Sequence, residues 1–206
     1  METIVDYWLP SFLFYFIPLR RMSGNAKHKE MKPYTDKELA GVLENIANDE
    51  IFPELMDFVY PGKSLKDLKD LLRSFSTIRD FQHKFMAEVF NKIIHKTSDG
   101  AVLKGLENIE SDKPVLFLAN HRDIILDSAI LQVLLVEHGY DTTEIAIGNN
   151  LMISDFVTDI GRINKMIIVK RDGSGRELLE FSRELSSYIR NSITSRNNSV
   201  WIAQRN

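Results

Sequence analysis

The sequence contains no cysteine among its 206 residues. This absence excludes disulfide bonds, thiolate zinc sites and cysteine nucleophiles, and it is typical of a reducing compartment. The formal net charge of −3 provides no overall positive field, so nucleic-acid binding has no electrostatic support. With 44% apolar residues, the chain can bury a hydrophobic core of ordinary size. We therefore expect a globular protein that does not bind nucleic acid.

Long uninterrupted apolar runs are also lacking. The most apolar stretch, residues 3–19, is near the lower length limit for a spanning helix and is interrupted by Asp6, Pro10 and Pro18. No basic residue precedes it and no small-residue cleavage site follows it, which argues against a signal peptide. Its many aromatic residues, followed by two arginines, are typical of a segment in a membrane interface. Packing against a core or a partner protein is the alternative.

Apolar residues recur at helical spacing through most of the next part of the chain. Thr35 and Glu38 form the pattern of a capping box, which predicts the start of a helix. The turn cluster Thr97-Ser98-Asp99-Gly100 marks the end of this helical region. We therefore divide the chain into an apolar segment with a basic linker (1–32), a helical region (33–99) and an α/β domain (100–206).

After residue 100, short apolar runs alternate with helical patterns. This alternation predicts an α/β fold with a mostly parallel sheet flanked by helices. The first run, Val115–Ala119, contains no polar residue, so we expect a strand that is buried on both faces. Asp172-Gly173-Ser174-Gly175 lacks the spacing of a phosphate-binding loop and predicts a turn before a helix. The predicted strands are 115–119, 144–148, 166–169 and 200–203, and the predicted helices are 128–137, 151–160 and 175–193.

The end of the first predicted strand carries a candidate catalytic pair. Asn120-His121 closes the strand, and Asp127 follows six positions after the histidine, where a helical pattern begins. In open α/β sheets, ligands bind at this edge. A neutral imidazole can take a proton from a hydroxyl, and a carboxylate can orient it. The alternative is structural, with Asp127 capping the helix.

Asn120-His121-Arg122, followed by Asp127, resembles the first motif of the glycerol-3-phosphate and lysophosphatidate acyltransferase superfamily. The superfamily usually has four residues between the histidine and the aspartate. This chain has five, a spacing that resembles bacterial members. Two later stretches also resemble superfamily blocks, Ile147–Leu151 as a turn leading into a helix and Gly161–Arg171 as a strand ending in an arginine.

The resemblance implies an enzyme of phospholipid biosynthesis. Its acyl donor would be a thioester of coenzyme A or acyl carrier protein, and its acceptor a hydroxyl of glycerol-3-phosphate or a lysophospholipid. It implies no bound cofactor or metal, and a cytoplasmic enzyme in peripheral contact with the inner face of the membrane. His121 would be the general base, Asp127 would orient it, and Arg171 would contact the acceptor phosphate. The implied substrate-binding residues are Asn120, Arg122, Gly161, Lys170 and Arg171.

The last residues resemble the superfamily only in part. Residues 200–205 are similar to the strand that leads into a Glu-Gly-Thr-Arg-like motif, but the sequence stops at Asn206 before that motif. We expect a truncated form of a longer protein, because a parallel strand rarely ends a chain without a covering helix. The alternative is a non-catalytic, membrane-associated scaffold that retains the fold.

Overall fold

A computed structural model describes residues 32–120, 123 and 125–204. Its architecture is α/β, as the sequence predicts: a helical region precedes a parallel sheet that carries helices on both faces. The predictions for residues 3–19 and for the basic linker before Lys32 lie outside the described residues.

The helical region begins where the capping box predicts. The backbone N–H of Thr35 donates to Glu38 Oε2 at 2.8 Å, which satisfies one of the otherwise unpaired donors at the helix start. A π-helical turn, Phe81–Met86, joins the last two helices of the region into one rod. Within the described residues, no helix is both long and apolar enough to cross a membrane. The helices are α1 (Asp36–Asn48), α2 (Ile51–Val59), α3 (Leu65–Arg73), α4 (Ile78–Asp80) and α5 (Ala87–Thr97).

Strands and helices alternate in the rest of the described chain. They are β1 (Leu116–Asn120), α6 (Leu126–Glu137), β2 (Glu144–Gly148), α7 (Asp155–Ile163), β3 (Met166–Val169), α8 (Gly175–Thr194) and β4 (Val200–Gln204). The strand order is β1-β4-β2-β3, and every neighbouring pair is parallel. The chain steps from β1 to β2 to β3 in one direction and then returns to insert β4 between β1 and β2.

This reversal places α8 on the opposite face of the sheet from α6, because parallel crossover connections are right-handed. Thr143, just before β2, and Glu144, its first residue, point to the two faces of the sheet. Gln132 Nε2 of α6 donates to the Thr143 hydroxyl at 3.0 Å, whereas the Glu144 carboxylate accepts from Tyr188 of α8 at 3.3 Å. Successive residues of a strand point to opposite faces. The sheet is therefore doubly wound.

One hydrophobic core joins the helical region to α6 and α7. Phe81 and Phe85 are buried in this core with their rings stacked 5.5 Å apart, and Phe75 meets both rings edge-on. Ile130 of α6 and Ile163 of α7 belong to the same buried cluster. The helical region therefore buries its apolar side against one layer of the α/β part.

The prediction that the first strand is buried on both faces is wrong. Leu116 and Leu118 of β1 expose 43% and 61% of their surface. In the described residues β1 lies at an edge of the sheet and pairs only with β4. The helix on this face, α8, packs against β4 and the start of β2 instead. Burial of a strand face thus depends on strand order, which the apolar run does not encode.

A buried polar cluster lies at the amino-terminal edge of the sheet. The Glu144 carboxylate is almost fully buried and accepts hydrogen bonds from Tyr188 at 3.3 Å, from Asn198 at 3.2 Å and from Ser192. The Arg196 guanidinium lies 3.2 Å from the same carboxylate. Buried charges are stable only when they are paired and hydrogen-bonded, so this cluster ties α8 and the turn after it to β2.

A second cluster holds the start of the described chain against α7. The Tyr34 hydroxyl donates to Asp159 Oδ1 at 2.6 Å, and Arg162 donates to the Lys32 carbonyl at 2.8 Å. The guanidinium of Arg162 also stacks over the Tyr34 ring at 3.9 Å. Burial, and to a smaller extent the hydrogen bond to Asp159, raises the pKa of Tyr34 to about 12.

Candidate active site

The carboxyl ends of the four strands meet at one edge of the sheet, because all four strands are parallel. They end at Asn120, Gly148, Val169 and Gln204, and Asn120 pairs in register with Gln204. Most of the predicted site residues lie at or just beyond these ends. This edge is where open α/β sheets bind their ligands, so it is the candidate active site.

Two carboxylates organise the junction between β1 and α6. Asp123 Oδ1 accepts the backbone N–H groups of Ile125 and Leu126, at 3.0 and 2.8 Å. Asp127, in the first turn of α6, turns back and accepts the backbone N–H of Asp123 through Oδ2 at 2.9 Å. Asp123 therefore satisfies the N–H groups at the helix start, and Asp127 holds the loop that precedes the helix.

The remaining predicted residues of this junction are only partly described. Asn120 is exposed at the end of β1, on the ligand-binding edge. His121 and Arg122 lie outside the described residues, so their predicted roles stay predictions. The carboxylate predicted to orient His121 nevertheless contacts the backbone of Asp123, two positions further along the chain.

The ends of β2 and β3 are joined through Arg171. Its side chain lies across Gly148, the last residue of β2: a Cβ built on Gly148 would overlap Arg171 Nε and lie 2.9 Å from Arg171 Cδ. Asn149 strengthens the link, because its Oδ1 accepts the Arg171 backbone N–H at 3.1 Å and its Nδ2 donates to Asp172 Oδ1 at 2.6 Å. Arg171, the residue predicted to bind the acceptor phosphate, is thus held by the end of the neighbouring strand β2.

Lys170 diverges from Arg171 and lies over the turn that leads into α8. A Cβ on Gly173 would come within 3.3 Å of Lys170 Nζ and 3.0 Å of Glu177 Oε2, and the φ of Gly173 is +129°. Hydrogen bonds from the Ser174 backbone and hydroxyl lower the pKa of Glu177, and the charge of Lys170 lowers it further. Ser174 and Glu177 form a capping box, which confirms the prediction of a turn before a helix.

Gly161 does not join the other predicted residues. It is buried near the end of α7, where a Cβ would come within 3.0 Å of Met166 Sδ at the start of β3. That position is at the opposite end of β3 from Arg171. Its predicted substrate contact stays a prediction.

Sequence reasoning placed Gly148 and Asn149 in a stretch that resembles a superfamily block, but it did not predict their contact with Arg171. The signal was present, because a glycine and two asparagines directly follow a predicted buried strand, as Asn120-His121 follows another. Parallel strands bring such ends to the same edge. The described residues contain no group of three or more histidine, cysteine, aspartate or glutamate side chains that could hold a metal ion.

The fold and the site define a doubly wound α/β protein whose polar residues gather at the carboxyl edge of the sheet. The profile of the Acyltransferase family matches residues 101–203, which is half of the chain and includes β1, the Asn120–Asp127 junction and Arg171. The chain therefore belongs to the acyltransferase family, and it is an acyltransferase. A comparison with curated proteins gives no significant match.

Proposed function

We propose that the protein transfers a fatty acyl group from a thioester of coenzyme A or acyl carrier protein to a hydroxyl of glycerol-3-phosphate or a lysophospholipid. The observation that carries the proposal is the family match across the strand ends that hold Asn120, Asp127 and Arg171. The products would be an ester and a free thiol.

In this reaction, His121 acts as the general base. The acceptor hydroxyl loses its proton to His121 and its oxygen attacks the thioester carbonyl carbon. The tetrahedral intermediate then expels the thiolate, which takes the proton back from the imidazolium. Backbone N–H groups at the strand ends stabilise the oxyanion. Asp127 orients His121. Its hydrogen bond from the Asp123 backbone N–H at 2.9 Å holds its carboxylate against the loop that follows the histidine.

Arg171 holds the phosphate of the acceptor. A guanidinium presents two parallel N–H groups to a phosphate, which gives both charge and direction. Lys170, which diverges over Gly173, adds positive charge to the same edge. Asn120 and Arg122 are further candidates for acceptor contacts beside the catalytic pair.

We also propose that the enzyme works in peripheral contact with the cytoplasmic face of a membrane. The support is in the sequence, where the aromatic-rich residues 3–19 and the basic residues after them suit a membrane interface. Both the lysophospholipid and the product of acyl transfer partition into lipid, so contact with a membrane would shorten their path.

The test is acceptor-dependent release of thiol. Palmitoyl-coenzyme A or palmitoyl acyl carrier protein is mixed with the protein and a colorimetric thiol reagent, with and without glycerol-3-phosphate or lysophosphatidate. The protein contributes no background because it has no cysteine. We expect release that depends on the acceptor and falls a hundredfold or more in His121→Ala.

His95→Ala is the matched control, because His95 is an exposed histidine on α5, away from the strand ends. It should retain full activity. Undiminished release in His121→Ala would overturn the role of the histidine. Thiol release that ignores every acceptor would indicate hydrolysis, and no release with any pair of donor and acceptor would indicate a non-catalytic scaffold.

A further inference from the structure

The Gly148–Asn149 turn at the end of β2 contacts the segment that carries Arg171, and the proposed reaction gives neither residue of this turn a role. The Asn149 side chain makes two hydrogen bonds to the segment that carries Arg171. Its Oδ1 accepts the Arg171 backbone N–H at 3.1 Å, and its Nδ2 donates to Asp172 Oδ1 at 2.6 Å. An asparagine side chain supplies an acceptor and a donor together, whereas an aspartate lacks the donor. The residue is therefore chemically matched to this bridge.

Gly148 leaves room for Arg171 because it has no side chain. A side chain there would overlap the Arg171 Nε atom and the Asn150 side-chain oxygen. The guanidinium end of Arg171 occupies this space, so the arginine leans from the end of β3 over the end of β2. Any residue with a Cβ at position 148 would force Arg171 into a different rotamer.

The strand order makes this lean important for the reaction. Neighbouring strands lie about 4.8 Å apart, so β3 is roughly 14 Å from β1 in the order β1-β4-β2-β3, and β2 is roughly 10 Å from it. The candidate catalytic pair follows β1. A guanidinium over β2 is thus one strand spacing closer to that pair, which suits a short acceptor whose hydroxyl and phosphate must reach both.

We propose that Gly148 and Asn149 are positioning residues that hold Arg171 at the distance required by a phosphorylated acceptor. This inference rests on the proposed function, because it assumes that Arg171 binds the acceptor phosphate. The end of β2 would then help the enzyme to select phosphorylated acceptors, although Gly148 and Asn149 carry no charge.

The test is a double-mutant cycle between Asn149→Ala and Arg171→Ala, with steady-state kinetics for glycerol-3-phosphate and for palmitoyl-coenzyme A. We expect Asn149→Ala to raise the KM for glycerol-3-phosphate about tenfold, the size of one lost charge-assisted contact, with an unchanged KM for the thioester. Added to Arg171→Ala, it should have no further effect, because Asn149 acts only through Arg171.

Three further variants make the result specific. Gly148→Ala should raise the same KM by displacing Arg171. Asn149→Asp should retain the bond to the Arg171 N–H but lose the donor to Asp172, so its effect should also appear in the acceptor KM. Asn164→Ala is the control: this asparagine lies at the other end of β3 and donates to the Ile160 carbonyl at 2.8 Å. It should leave the acceptor KM unchanged.

The outcomes separate the two proposals. Acceptor-dependent turnover in the wild type with an unchanged acceptor KM in both Asn149 variants would overturn the positioning role and leave the proposed function standing. Additive losses in the Asn149→Ala/Arg171→Ala double variant would overturn it as well, since they would indicate independent effects. A wild type that does not respond to phosphorylated acceptors would overturn both.

Discussion

Asp127 accepts the backbone N–H of Asp123 through Oδ2 at 2.9 Å, from within the helix that this loop precedes. The contact fixes a helical carboxylate to the segment between the catalytic candidate His121 and α6. We therefore predict that Asp127→Ala lowers acyl transfer a hundredfold or more, because it removes both the bond that holds the loop and the carboxylate proposed to orient the base. Thiol release measures this effect.

Asp123→Ala is the informative comparison for that variant. The Asp123→Ala substitution removes the acceptor for the Ile125 and Leu126 N–H groups. We therefore expect it to lower the free energy of unfolding by about 1 kcal/mol in urea denaturation. Asp127→Ala with wild-type turnover would contradict the orienting role, whatever its stability.

Glu144 offers a test that concerns stability and not catalysis. We predict that Glu144→Ala lowers the free energy of unfolding by about 3 kcal/mol, because it removes a buried carboxylate that pairs with Arg196 and accepts hydrogen bonds from Tyr188, Ser192 and Asn198. Glu144→Gln keeps the shape and should cost less. Since the cluster lies at the amino-terminal edge of the sheet, the KM values should stay unchanged; a change in KM without loss of stability would refute this assignment.

Tyr34 tests how the helical region is attached to α7. Tyr34→Phe removes the donor to Asp159, whose carboxylate is 4% exposed, so we expect a loss of about 1–3 kcal/mol in urea denaturation. Tyr140→Phe is the matched control, because its hydroxyl makes only a 3.4 Å contact with the Ile109 carbonyl and its loss should stay within about 0.5 kcal/mol. Equal effects of the two substitutions would count against the cluster.

His83 gives the protein a pH dependence that can be checked. Burial and the charge of Arg79 lower its pKa below the ordinary value of 6.5, and Asp141, 3.3 Å away, opposes them in part. Below about pH 6.5 the unfolded chain then binds more protons than the folded one, so this contribution to stability is full above pH 6.5 and is lost as the pH falls through the folded pKa.

The measurement compares urea denaturation at neutral and mildly acidic pH. We expect His83→Gln to lose stability less steeply on acidification than the wild type. His95→Gln, at an exposed histidine, is the control for replacing a histidine by glutamine. A His83→Gln curve parallel to the wild type would rule out this contribution.

The sequence predicted the elements better than their arrangement. Glu144–Gly148 and Met166–Val169 are strands with the predicted bounds, because short apolar runs between helical patterns are a local signal. The insertion of β4 between β1 and β2 is not local, and it is what leaves Leu118 exposed. A run of apolar residues predicts that a strand forms, but it does not predict which strands will be its neighbours in the sheet.

The candidate site divides in the same way. Asn120, Asp127 and Arg171 were predicted from motifs, and the parallel sheet brings the strand ends that carry them to one edge. The close approach of the Arg171 side chain to Gly148 depends on the pairing of β2 with β3 and on the rotamer of Arg171. Neither can be derived from residues so far apart in the chain, which is why the contact between that turn and Arg171 was missed.

The π-helical turn between α4 and α5 makes the length of this rod as important as its composition. Phe81, Phe85, Val89 and Ile93 recur every fourth residue, and each step of four drifts by about 40° around a regular α-helix. The wider turn, marked by the Ala87 N–H bonding back to the Gln82 carbonyl, absorbs part of that drift. Deleting one residue within 81–86 would let this turn return to ordinary winding with Val89 and Ile93 still facing the core. Deleting one residue of α5 ahead of Ile93, where the winding is already ordinary, would rotate Ile93 by about 100° away from the core. The π-turn can therefore tolerate the loss of one residue, whereas the same loss within α5 would turn the rest of that helix.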